Sequence, residues 1–222
     1  MEQAPGLVGD HYRSVRLRFE TLLAPLDTEQ WERPVAACPG WRVRDVLAHL
    51  VGIIEDAAAG ELSGGPPSTE QTTAEVDRHR DDDPPVLLQT WTEAAPLLEA
   101  VVSEQEMWPA FIDVLSHEHD VRTALDQPGG RDHPDVELAA SLLTTSVDAP
   151  VSVEFDLGDR VLRSAGDEPP AARLSTSAFE VLRLRLGRRS RAQVAALDWS
   201  GDRDLVLDHL FIFGPTATPL IE

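Results

Sequence analysis

Phe111-Ile112-Asp113-Val114-Leu115-Ser116-His117-Glu118-His119-Asp120 reads as a helix that carries ionisable side chains into a core. Residues four apart on a helix lie one above the other, with Cβ atoms about 5–6 Å apart, so Asp113 and His117 are placed to share one metal ion. His117 falls in register with Ala110, Val114, Val121 and Ala124, which turns it inward. A bare carboxylate facing a core is costly unless it is paired or coordinated. The best third donor is His49, which interrupts the apolar stripe Val46, Leu50, Ile53 of another helical stretch. The competing reading is that each is a satisfied polar core residue, with His49 bonded to a carbonyl and Asp113 to an arginine. Glu118 and His119 fall on other helical faces and are expected to form a solvated pair or to support the site from outside it.

Working outward, apolar residues at Val8, Tyr12, Val15, Phe19, Leu22 and Leu23 predict a first helix over about Leu7 to Ala24, ended by Pro25. Trp31 to Gly40 reads as an irregular loop, and a second helix runs from about Val43 to Glu61. Ser63 to Pro85 is rich in Gly, Pro, Ser and acid, hence mostly loop, with room for one short helix around Glu70 to Arg80. Helices over about Val86 to Gln105 and Trp108 to Leu125 complete a four-helix bundle, closed by Pro128-Gly129-Gly130. From Asp132 the pattern changes. A helix at about Pro134 to Ser146 precedes the alternating Val151-Ser152-Val153-Glu154-Phe155, a Gly158-Asp159 turn and Val161-Leu162-Arg163, which is a hairpin pattern. A strand at Ala172 to Ser175, helices at Ala178 to Leu186 and Ser190 to Leu197, and a last apolar segment Leu205 to Phe213 follow. The expected fold is α+β, a metal-binding helical bundle over residues 1–130 followed by a small α/β domain over 131–222.

At 222 residues the chain can bury a core without disulfides. Its net charge of −20 argues against nucleic acid and anionic membranes, which bind through clustered Lys and Arg. Cys38, the one cysteine, excludes an intramolecular disulfide and fits a reducing compartment. Met1 to Val8 shows no basic segment leading into an apolar one, and no stretch reaches the length of a membrane span. A cytoplasmic location is therefore expected. The absence of Lys and Asn beside abundant Ala, Arg, Gly and Pro suggests a GC-rich, actinobacterial type of genome.

Trp31 with Cys38-Pro39-Gly40-Trp41-Arg42-Val43-Arg44-Asp45-Val46-Leu47-Ala48-His49-Leu50-Val51-Gly52 resembles the signature of the mycothiol-dependent maleylpyruvate isomerase family, a branch of the DinB-like four-helix metalloproteins. Asp113 with His117-Glu118-His119-Asp120-Val121-Arg122 is similar to the family's second motif. Phe179-Glu180-Val181-Leu182-Arg183, Gly187-Arg188-Arg189-Ser190 and Trp199-Ser200-Gly201-Asp202 resemble the C-terminal domain of many members. The resemblance implies a divalent metal, usually zinc, held by His49, Asp113 and His117. Founding members carry Glu where this chain has the shorter Asp113. It also implies mycothiol as a thiol cosubstrate and a small-molecule electrophile as partner, with S-transferase and isomerase both represented.

A His/Asp/His set leaves positions open on zinc for a thiol or water. A free thiol of pKa about 8.5 is a few per cent thiolate at neutral pH, and coordination makes it almost fully so, a gain of about 2 kcal/mol. The same donors describe the two-histidine, one-carboxylate triad of non-haem iron, and a non-catalytic member binding a metal or ligand is the third reading. Arg188, Arg189 and Arg191 are the densest basic cluster and are candidates to orient a substrate carboxylate, against the alternative of salt bridges to neighbouring acids. Cys38 sits between Ala37 and Pro39 with no base beside it in sequence, and a packing or turn role is expected. Asp81-Asp82-Asp83 lacks the spacing of a calcium loop. His11 and His79 are unassigned; His11 is within reach of the site's periphery, against the favoured alternative of a surface or capping role.

Overall fold

The computed structural model describes residues 7–62, 66–166 and 169–222. The stretch read for a leader (residues 1–6) and the start of the long loop (63–65) lie outside them. The chain divides into two compact units, Met1–Gly129 and Gly130–Glu222.

The first unit holds helices α1 (Leu7–Leu23), α2 (Thr28–Trp31), α3 (Val43–Ala59), α4 (Thr69–Arg78), α5 (Pro84–Gln105) and α6 (Trp108–Ala124). α1 buries Tyr12, Val15, Phe19, Leu22 and Leu23 along one stripe, against α5 and α6. α3 packs on α5, α4 and α6, and so brings His49 towards α6. Its N-terminus is set by Asp45, whose carboxylate accepts from the Arg42 backbone N–H at 2.8 Å and from the Arg42 guanidinium. Its C-terminus is Gly60, at φ 73°, the left-handed conformation that glycine adopts without strain. α2, a single turn capped by Asp27, interrupts what the sequence suggests is a plain connection. α4 is the short helix foreshadowed in the long loop, capped by Ser68.

α6 departs from expectation. Every residue from Phe111 to Val121 except Asp113 is buried, so the helix has no solvated face at mid-length. Glu118, expected to be solvated or to support the site from outside it, is not solvated: it is fully buried, clasped by Arg18 at 3.0 and 2.7 Å and by Arg122 at 2.9 Å. His119 is buried as well. Helical rotation was a sound guide to direction, but α6 is surrounded by α1, α3 and α5, and rotation cannot reveal that.

The second unit contains α7 (Pro134–Thr145), β1 (Val153–Asp156), β2 (Val161–Arg163), β3 (Ala172–Ser175), α8 (Ala178–Arg185), α9 (Arg191–Ala195) and β4 (Asp198–Gly201). Its sheet runs β2-β1-β3-β4, with β1 antiparallel to β2, parallel to β3, and β3 antiparallel to β4. Val153, Phe155, Ala172 and Leu174 bury one face of it, and α7 packs on α8. β4 was not legible as a strand. It is four residues long and exposed on three of them, so it carries no apolar alternation. The last apolar segment forms two 3-10 turns, Arg203–Leu205 and Leu207–His209. Among the described residues no helix is long and apolar enough to cross a membrane.

Candidate metal centre

The loop before α3 is fastened to itself: Cys38 N–H donates to the Val35 carbonyl, Trp41 N–H to the Cys38 carbonyl and Val35 N–H to the Trp41 carbonyl, each at 2.9 Å. This sets Trp41 at the mouth of α3, where its indole lies against both the His49 ring (5.1 Å between centroids) and the His117 ring (6.0 Å). The two imidazoles face each other edge-on at 5.2 Å.

His49, Asp113 and His117 offer one ligand atom each within 4.8 Å of one another. His49 Nε2 stands 3.4 Å from Asp113 Oδ2, and His117 Nε2 stands 3.5 Å from Asp113 Oδ1. These edges compare with roughly 3.3 Å between N and O ligands of a tetrahedral ion at bond lengths near 2.0 Å. Each imidazole is held from behind by a second carboxylate. His49 Nδ1 lies 2.6 Å from Glu75 Oε2 and His117 Nδ1 lies 3.1 Å from Asp120 Oδ2. A carboxylate only accepts, so each Nδ1 carries the proton and each Nε2 is left to coordinate, the arrangement metal-binding histidines adopt. Three carboxylates against two imidazoles also leave the buried cluster short of positive charge, which a divalent cation restores. The residues therefore fit a metal ion.

In the ion-free state that shortage falls on His49. Burial pulls its pKa down, but Asp113 and Glu75 outweigh burial and raise it to about 9. Burial, with Asp113 nearby, likewise pushes the Tyr12 phenol up, so that it stays neutral. Beyond Trp41, a groove of 510 Å³ is lined by Pro39, Gly40, Arg42, Thr73, Val76 and Arg80, among others.

Glu75 was missed in the sequence because it sits on a short helix inside a loop-like stretch, with nothing in its surroundings to single it out. Asp120 was legible in principle, one turn beyond His117. The absence of a base beside Cys38 holds for sequence only: its Sγ lies 3.8 Å from His117 Nδ1 and 3.5 Å from Asp120 Oδ2. His11 packs its ring on Phe111 at 5.7 Å, while His79 is held between Glu55 (3.1 Å) and Asp82 (2.9 Å). The arginine cluster is engaged within the second unit. Arg189 grips Glu180 at 2.7 and 2.9 Å and Glu222 at 2.7 Å. Arg191 pairs with Asp208 at 2.6 Å, and Arg188 donates to the Leu186 carbonyl at 2.8 Å.

Two solved structures resemble the chain over most of its length. One is a mycothiol-dependent maleylpyruvate isomerase carrying a histidine-to-alanine substitution, 16% identical, with a TM-score of 0.53 over 90% of this chain and 95% of that one. The other is a mycothiol-dependent maleylpyruvate isomerase, 17% identical, with a TM-score of 0.52 over 84% of this chain and 90% of that one. At such identity the likeness shows the fold alone. No curated protein sequence matches the chain. The family model described as the mycothiol maleylpyruvate isomerase N-terminal domain matches residues 12–125. That span takes in His49, Glu75, Asp113, His117 and Asp120, and the chain belongs to the mycothiol maleylpyruvate isomerase family.

Proposed function

We propose that the chain is a mycothiol-dependent enzyme, an S-transferase or isomerase acting on a small electrophile, with zinc held by His49 Nε2, Asp113 and His117 Nε2. One observation carries the reading: two imidazoles converge on one carboxylate while each is oriented from behind by another. Bound there, the ion supplies a Lewis acid that favours the thiolate form of a coordinating thiol. Glu75 and Asp120 fix the imidazole tautomers and keep Nε2 aimed at the ion. Trp41 shields both rings from water and forms one wall of the groove, whose volume suits a small molecule. A neutral, sugar-linked thiol such as mycothiol meets no repulsion from an acidic protein. A low-molecular-weight thiol and a single cysteine also fit a reducing cytoplasm. Arg189 and Arg191 are satisfied by Glu180, Glu222 and Asp208, which favours a structural part for them.

The test is elemental analysis of the protein and of its His49→Ala and His117→Ala variants, beside thiol-dependent turnover of electrophile panels. Near-stoichiometric zinc lost from both variants together with turnover is the expected result. Iron with oxygen-dependent turnover would replace the reading with a non-haem-iron enzyme. A tightly held ligand without turnover would leave a binding protein. Full thiol-dependent turnover in either variant sinks the assignment.

A further inference from the structure

Cys38, His117 and Asp120 form a second cluster on the opposite edge of the His117 ring, with one donor atom from each within 4.8 Å of the others. The separations are 3.8 Å from Sγ to Nδ1, 3.5 Å from Sγ to Asp120 Oδ2, and 3.1 Å from Nδ1 to Oδ2. For a tetrahedral ion with a bond to sulfur of about 2.3 Å and to N or O of about 2.0 Å, the same edges are roughly 3.5, 3.5 and 3.3 Å. The three donors thus already sit near coordinating distance. They are also well fixed: Asp120 is fully buried, His117 nearly so, and the Cys38 backbone is tied on both sides by hydrogen bonds to Val35 and Trp41.

We infer that Cys38 Sγ, His117 Nδ1 and Asp120 Oδ2 form a second cation site, selective for a thiophilic ion, whose occupation excludes an ion from the His49, Asp113, His117 site. The first cluster offers only nitrogen and oxygen, whereas the second adds a thiolate, the donor that soft ions such as cadmium prefer. Exclusion follows from the chemistry of one ring. A neutral imidazole has one lone pair, so it coordinates through Nε2 or through Nδ1 but not both. When a soft ion takes Nδ1, the Cys38 thiol gives its proton to solvent and the ring proton moves, through solvent, from Nδ1 to Nε2. His117 then has no lone pair for the first site, and the ion there is left with His49 and Asp113. Only this exclusion rests on the proposed first site. The second cluster stands on its own geometry.

The experiment is a cadmium titration of the purified, metal-loaded protein. Thiolate-to-cadmium charge-transfer absorbance and the released first-site ion are followed together in wild type, Cys38→Ala and Cys38→Ser. Because Cys38 is the sole thiol of the chain, the absorbance has one source. The expected result is an absorbance saturating at one equivalent, matched by one equivalent of released ion, with neither seen in the folded Cys38 variants over the same range. No absorbance in wild type overturns the second site, as does ion release without it. Absorbance that develops while the first ion stays bound overturns the exclusion. Should the protein prove to hold no first-site ion, the proposed function fails, and the charge-transfer band still decides the Cys38 site.

Discussion

Gly52 and Glu75 are so closely opposed that a methyl group on Gly52 would come within 2.6 Å of Glu75 Cβ and 3.0 Å of its Cα. Gly52 lies one turn beyond His49 on α3, and its missing side chain is what lets α4 settle near enough for Glu75 to reach His49 Nδ1 at 2.6 Å. Gly52→Ala is expected to push α4 outward. Overpacking of this kind costs about 1–3 kcal/mol, and loss of an orienting carboxylate lowers metal affinity roughly 10–100-fold. Denaturant unfolding and competition with a calibrated chelator measure the two effects separately. Glu75→Gln should show the second effect with little of the first.

The ion-free protein should lose stability with rising pH through His49. Its folded pKa of about 9 exceeds the ordinary 6.5, so the native state holds this proton more tightly than the unfolded chain. The stabilisation is complete below 6.5 and disappears as pH rises through about 9. Its size is of order 3 kcal/mol. Unfolding of chelator-treated protein across that window checks the slope, which His49→Gln should remove. Ion uptake near neutral pH should expel the same proton, visible as a dependence of binding heat on the buffer's ionisation enthalpy.

Much of this was written in the chain. The periodicity of Val8 to Leu23 and the apolar stripe after the Pro39-Gly40 turn marked their helices, and Asp113 and His117 at helical spacing marked one half of the candidate site. What the sequence withheld were relations between distant segments. Nothing local to Glu75 shows that α4 folds back over His49, since that depends on an absent side chain at Gly52. Nothing local to Glu118 shows that Arg18, a hundred residues earlier on α1, waits for it. Local pattern reports which way a side chain points, and packing decides what it meets.

Glu118→Gln should be costly although it lies outside the candidate site. The substitution leaves the guanidinium groups of Arg18 and Arg122 without their shared anion at a buried position. Removing one member of a buried pair costs about 3–5 kcal/mol, and because Arg18 and Arg122 keep some solvent contact the expected loss is nearer 2–3 kcal/mol. Thermal unfolding measures it. A neutral result would mean that the pair contributes nothing beyond its own desolvation.

Trp41→Ala is expected to leave metal content intact while opening both imidazoles to water from the groove. Full burial of a Trp makes its truncation worth about 3–5 kcal/mol, and for the half-buried Trp41 about 2 kcal/mol is expected. Faster ion loss to chelator at unchanged stoichiometry is the sign of lost shielding. Loss of the ion itself would show instead that the indole is needed to assemble the donors.

The burial of α6 along its middle leaves the three candidate donors unequal in freedom. His117 rides on the buried middle of that helix, and His49 is held between Glu75 of α4 and Asp113 of α6, so neither imidazole has room to shift. Asp113 alone among the three keeps an outlet, with 31% of its side chain exposed. Were an ion held there, any adjustment of the donors to an arriving ligand would fall to that carboxylate, the one of the three with room to move. The candidate centre is a rigid fork closed by a single hinged arm.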